Sequence, residues 1–191
     1  MVFDVIDDFL PQPYFEMIRD KITHCSFPWY FKKDITYPSI DSLLNKNLNS
    51  YGLDHFVIED NESCNVEMSS LLSGFFGSLM LITERSKISK CRIDMTLHTK
   101  PKYKHTPHVD MFTDHIASVF YLTNSDGETE IYDEICYSMD QYVNTDFSKL
   151  TLTHQVEPKE NRLLLFDGKY LHTGHSPFRT KNRVIINTDL V

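Results

Sequence analysis

The run Arg162-Leu163-Leu164-Leu165-Phe166-Asp167-Gly168 sets the grammar for the second half of the chain. Its apolar core is short and stops abruptly at an Asp-Gly pair, so it reads as a strand closed by a turn. Working outward, the same pattern recurs on both sides. Strands are predicted over 91–97, 116–122, 128–133, 150–156, 162–166 and 183–188. Asp126-Gly127 repeats the turn and marks a hairpin, because Asp-Gly tolerates the positive backbone angles of a tight turn. Short strands punctuated by turns build an antiparallel sandwich or jelly roll. A polar, aromatic-containing insertion over 135–149 lacks periodicity and is suited to lining a pocket.

The first half differs. A helix is predicted to start near Pro13, with Tyr14, Met17, Ile18, Ile22 and Cys25 at helical spacing. A second is predicted from Met68 to Arg85, where Leu71, Leu72, Phe75, Phe76, Leu79 and Met80 form an apolar stripe despite Gly74 and Gly77. Residues 32–65 read as loops with short elements. The expected fold is mainly β within an α+β class: one domain over 1–191, with 1–89 a mainly helical and loop support packed on a sheet core formed by 90–191.

Bulk properties exclude several function classes. A formal net charge of -8 with no basic run opposes binding to nucleic acid. The amino-terminal residues lack a basic segment followed by an apolar stretch, and no apolar run reaches membrane-spanning length. A cytoplasmic protein with no membrane partner is expected. Cys25, Cys64, Cys91 and Cys136 show no Cys-x-x-Cys spacing, so a zinc ribbon is excluded and reduced, mostly buried thiols are expected.

The chemistry begins at His108-Val109-Asp110, the single His-x-Asp/Glu in the chain. On an extended segment, alternation points both side chains to one face. With nine histidines, about one such pair arises by chance, and a surface ion pair would explain it alone. His172 changes the weighing, because it follows a strand and an Asp-Gly turn and can complete a set of two imidazoles and one carboxylate. That set leaves three adjacent positions of an octahedron open, the arrangement associated with non-haem iron(II) oxygenases; thiolate-rich sites favour zinc, and all-oxygen sites magnesium or calcium. His175 is the competing third ligand, whereas His98, His105 and His115 read as rim histidines. Arg183 opens the last strand and shares a face with Ile185 and Asn187, placing a planar bidentate donor where a dicarboxylic cosubstrate would end. Tyr121 is a second donor to the same carboxylate. Arg92 either binds substrate or pairs with Asp94.

These residues resemble the 2-oxoglutarate and iron(II)-dependent dioxygenases, especially small prolyl-hydroxylase-like members of bacteria and phages. The resemblance spans 91–191 and rests on His108-Val109-Asp110, Tyr121 to Asn124, Gly127-Glu128-Thr129, Pro158 to Arg162, Phe166-Asp167-Gly168, His172 and Arg183, in that order. It implies a double-stranded β-helix catalytic core, with iron(II) on His108, Asp110 and His172 and with 2-oxoglutarate on Arg183 and Tyr121. Dioxygen, and ascorbate as a further cofactor, follow from the same likeness. So does hydroxylation of a small-molecule or peptide substrate, coupled to release of succinate; peptidyl proline, a free amino acid and a modified small molecule all suit. The family's paired glycines appear here as Asp126-Gly127. Three rivals have weaker signals. A cupin-type metalloenzyme would show His-x-His, and a zinc hydrolase His-Glu-x-x-His; both are absent. A non-enzymatic jelly-roll binding module would leave the three ligands as coincidence.

Overall fold

The computed structural model of the chain describes residues 3–36 and 50–191. Its strands are β1 (Phe3–Ile6), β2 (Tyr30–Lys32), β3 (Gly52–Glu59), β4 (Glu62–Ser63), β5 (Ile88–Leu97), β6 (Ile116–Tyr121), β7 (Thr129–Ile135), β8 (Leu152–Val156), β9 (Arg162–Asp167), β10 (Tyr170–Gly174) and β11 (Asn182–Leu190). The larger sheet runs β1-β9-β6-β11-β5-β3-β2, with β4 beside β3, and the smaller runs β10-β7-β8. The strand pairs are antiparallel. From β6 onward the chain alternates between sheets, passing to β7, back to β9, across to β10 and back to β11. That alternation makes a jelly roll.

The smaller sheet gains an irregular fourth edge. His108 and His172 exchange backbone hydrogen bonds at 2.9 Å each, the His105 amide donates to the Gly174 carbonyl at 3.1 Å, and the Ser176 amide donates to the Tyr103 carbonyl at 2.8 Å. The stretch containing the first two candidate ligands is thus tied to β10.

Both faces of the larger sheet are covered, which explains the unbroken apolar run on β9. One face packs on the helix Gln12–Thr23 and on the helices Val66–Leu71 and Ser73–Thr83, burying Ile18, Leu79, Ile93, Phe120, Leu163 and Ile186. Phe120 is the hub, with its ring centroid 6.0 Å from those of Phe9 and Phe15 and 5.0 Å from that of Phe75. Full burial of such a side chain is worth roughly 1.5–3 kcal/mol. The opposite face, with Val119, Leu164, Phe166 and Ile185, closes on Ile131 and Val156 of the smaller sheet. Functional side chains project into the space between the sheets.

Several expectations need correction. The second helix is two helices, broken at Leu72, where φ is -86° and ψ is 2°. The Tyr14 hydroxyl sits in the break, donating to the Leu71 carbonyl at 2.7 Å and accepting from the Phe75 amide at 3.1 Å. It thereby satisfies backbone groups that the interruption orphans. Gly74 admits this ring, since a Cβ there would lie 3.1 Å from Tyr14 Cε1. The region 32–65, read as loops, contains the eight-residue β3, whose buried Asp54 and His55 hide its strand pattern. The first 89 residues therefore supply strands to the main sheet as well as helices. Part of that loop reading, over 37–49, lies outside the described residues.

Asp126-Gly127 does not form the expected hairpin, whereas Asp167-Gly168 does end its strand in a turn. Both sit at crossovers between sheets, and no glycine has positive φ. Close approach is the reason for glycine here: a Cβ on Gly127 would collide with the His175 carbonyl, and one on Gly168 with the His115 ring. Asp126 instead accepts from the Phe178, Arg179 and Thr180 amides and fastens the loop that leads into β11. The insertion over 135–149 forms the short helix Met139–Val143 and a turn of 3-10 helix at Phe147–Lys149. All four cysteines are free; Cys91 and Cys136 are buried, whereas Cys25 and Cys64 are exposed. Among the described residues no helix is long and apolar enough to cross a membrane.

Candidate metal centre

His172 lies on the interior face of β10, and the backbone exchange places His108 directly opposite it. Such a hydrogen-bonded antiparallel pair brings two side chains of one face into contact range. The imidazole centroids are 4.7 Å apart at 46°. Two residues beyond His108, Asp110 returns to the same side. Its Oδ2 lies 3.2 Å from His172 Nε2 and its Oδ1 lies 4.0 Å from His108 Nε2. One ligand atom from each of His108, Asp110 and His172 falls within 4.8 Å of the others. The three side chains are close enough to share one ion.

The protonation pattern suits a cation. His108 Nδ1 contacts the Thr106 carbonyl at 3.2 Å and His172 Nδ1 the Tyr170 carbonyl at 3.1 Å. A carbonyl only accepts, so each Nδ1 donates to it, and Nε2 is the ring nitrogen turned toward Asp110. Burial, followed by the neighbouring His172, pushes the His108 imidazole down to about 4, so it is neutral at physiological pH. Burial opposes ionisation of Asp110, but the His172 hydrogen bond and the two imidazoles hold its carboxyl well below the usual range. A neutral His108 and an ionised Asp110 are the forms in which these groups bind metal.

Beyond the three lies a narrow cavity of about 50 Å³ that Thr129, Val119, Ile185 and Arg183 also line. The Arg183 guanidinium is buried and donates from Nη2 to Thr129 Oγ1 at 2.7 Å, while its Nε has no partner. Among the described residues no carboxylate comes within 4.0 Å of it. Burial lowers its pKa, yet a guanidinium remains charged in any protein. Gly174 lets β10 pass close by, since a Cβ there would stand 3.2 Å from Nη1. A buried cation without a counter-ion is costly unless a ligand supplies the anion. A dicarboxylate bridging metal and guanidinium fits that need.

Tyr121 is fully buried, but its hydroxyl meets Thr129 Oγ1 at 2.7 Å and does not line the cavity. Sequence reasoning missed Thr129. Its hydroxyl accepts from both Tyr121 and Arg183, leaving its own proton to be donated into the cavity. The Gly127-Glu128-Thr129 motif was the available signal. His175 lies away from the metal-centre residues, with Nε2 3.0 Å from Glu130 Oε1. His105 lines the inner cavity and contacts Ser176 Oγ at 3.1 Å, His115 is buried against Gly168, and His98 is exposed. Arg92 pairs with Asp94 at 2.6 Å, and it also lines the cavity.

No protein-family model matches the sequence, and no curated protein matches it. Solved structures do. A 2OG-Fe(II) oxygenase family oxidoreductase from Burkholderia pseudomallei aligns with a TM-score of 0.64 at 10% identity, over 98% of this chain and 84% of its own. A prolyl-4-hydroxylase from Pseudomonas putida aligns at 0.55 and 12% identity, over 98% and 91% of the two chains. A prolyl hydroxylase from Trichoplax adhaerens, solved with a peptide fragment of hypoxia inducible factor, aligns at 0.60 and 13% identity, over 98% and 82%. At such identities the likeness establishes the fold: the jelly roll is the one shared with 2-oxoglutarate-dependent iron(II) oxygenases.

Proposed function

We propose that the chain is an iron(II)- and 2-oxoglutarate-dependent oxygenase that hydroxylates a small-molecule or peptide substrate. The observation that carries this reading is the uncompensated guanidinium of Arg183 buried in the same cavity as the His108, Asp110 and His172 side chains. A metal-binding module without a cosubstrate has no use for that charge. The likeness to prolyl hydroxylases, one of them solved with a peptide, supports a peptide or small-molecule substrate.

In this reading His108, Asp110 and His172 hold the iron, and Arg183 with Thr129 takes the distal carboxylate of 2-oxoglutarate. Tyr121 positions Thr129 from behind. Val119 and Ile185 line the space between and exclude water from the cosubstrate chain. When bound, iron and 2-oxoglutarate supply the oxidising chemistry, with dioxygen consumed and succinate and carbon dioxide released. Four free thiols suit a reducing compartment, the cytoplasm.

Anaerobic addition of iron(II) and then 2-oxoglutarate should produce a weak visible charge-transfer band that requires both additions. Absence of the band, or its persistence in Asp110→Ala, would contradict the proposal.

A further inference from the structure

A chamber of about 340 Å³ adjoins the cavity and shares His108, Asp110 and Arg92 with it. Its lining also includes Lys32 from β2, Lys90 and Arg92 from β5, and Phe56. In a chain with 27 acidic and 19 basic residues, three cations around one small chamber are not the general surface.

Their arrangement leaves positive charge available. Arg92 gives Nε to Asp94 Oδ1 at 2.6 Å, and the other oxygen of Asp94 accepts from Asn187 Nδ2 at 2.6 Å. One carboxylate thus fixes the arginine stem while its terminal Nη atoms make no hydrogen bond among the described residues. Lys32 Nζ is 3.5 Å from Asp54 Oδ2, long for a charged hydrogen bond, and its side chain is 25% exposed. Lys90 forms no ion pair among the described residues. Asp34, which also lines the chamber, is engaged by the Ser50 hydroxyl at 2.6 Å. Burial, then the nearby Arg92, pushes the Lys32 ammonium below its ordinary range, so a charge held there is costly. A ligand anion would relieve that cost.

From this geometry we infer that the chamber receives an anionic group of the substrate, a carboxylate or a phosphate, held by Lys32, Lys90 and Arg92 so that a neighbouring carbon is presented to the metal centre. The assignment rests on the oxygenase reading above and narrows it: the substrate is an acid, and its neutral amide is a poor one. The volume lies near the lower end of small-molecule sites, roughly 300–1,000 Å³, and suits one small molecule or one side chain.

The test uses the full chain with iron(II) and excess 2-oxoglutarate, without oxygen, so that Arg183 is occupied. The visible band is recorded first and reports on the oxygenase reading alone. Calorimetric titrations then follow whether or not the band appears, with N-acetylglycine, its amide and inorganic phosphate as probes. At least one anion should bind on the order of tenfold tighter than the amide, in line with a charge-assisted contact of about 1.5 kcal/mol. Lys90→Gln and Lys32→Gln, which keep most of each stem, should each reduce that preference while leaving amide binding unchanged. A carboxylate that merely ligated the iron would keep its preference in both variants. Equal binding of acid and amide, no binding of either anion, or a preference indifferent to both substitutions would overturn the inference. Carboxylate and phosphate are told apart by which probe responds to the lysine changes.

Discussion

Arg183→Met is expected to weaken 2-oxoglutarate binding by orders of magnitude, to leave iron(II) binding intact and to raise the melting temperature of the protein measured without cosubstrate. The two effects have one cause. With cosubstrate bound as proposed, the guanidinium would be half of a buried, hydrogen-bonded ion pair, and removing one partner of such a pair costs about 3–5 kcal/mol. That corresponds to a loss of affinity of roughly two to four orders of magnitude. Without cosubstrate the same group is a buried charge whose Nε has no partner. Methionine fills much of the volume without the charge, and apolar replacements of buried ionic groups are often stabilising by about 1–4 kcal/mol. Thr129 and Tyr121 retain their mutual hydrogen bond in the variant. Calorimetric titration with 2-oxoglutarate and differential scanning calorimetry check the two halves. A variant that melts lower and binds 2-oxoglutarate normally would show that Arg183 is a structural residue.

Asp110→Ala lowers iron(II) affinity by more than about 100-fold while the protein stays folded. Even groups that merely orient a ligand are worth roughly 10–100-fold in metal affinity, so loss of the sole carboxylate of the set exceeds that. Retention of the fold follows from what Asp110 contacts: its side chain meets the two imidazoles, and among the described residues no backbone group hydrogen-bonds to it. Asp189 does not take over. Its carboxyl is buried 3.9 Å from His115 Nε2 and lies outside the cluster that His108, Asp110 and His172 form. Anaerobic competition titration against a coloured chelator measures the affinity, and circular dichroism checks the fold. Iron(II) affinity unchanged within a few-fold would remove Asp110 from the site.

What could be read without coordinates followed from local rules, and what could not depended on distant partners. His108 and Asp110 were legible because alternation along an extended segment is a two-residue rule. The strand carrying His172 was not: Tyr170-Leu171-His172-Thr173-Gly174 has one aliphatic residue, and its register is set by exchange with a segment more than sixty positions earlier. Thr129 went unrecognised because threonine in a strand reads as packing until Arg183 and Tyr121 are seen to converge on its oxygen. The break at Leu72 is made by the hydroxyl of Tyr14, which no window around residue 72 contains. The β3 strand was obscured because residues facing the space between the sheets are polar where they build the site, as Asp54 shows. The outer fold, by contrast, was plain from the apolar runs of β6, β9 and β11, where both faces are buried.

The central claim is that one ion sits among His108 Nε2, His172 Nε2 and an oxygen of Asp110. Anaerobic crystals grown with iron(II), measured on either side of the iron absorption edge, locate that ion directly. The account predicts a single anomalous peak at bonding distance, about 2.0–2.2 Å, from all three atoms. A peak between His175 and Glu130, or none among residues 108, 110 and 172 in iron-saturated crystals, would contradict it.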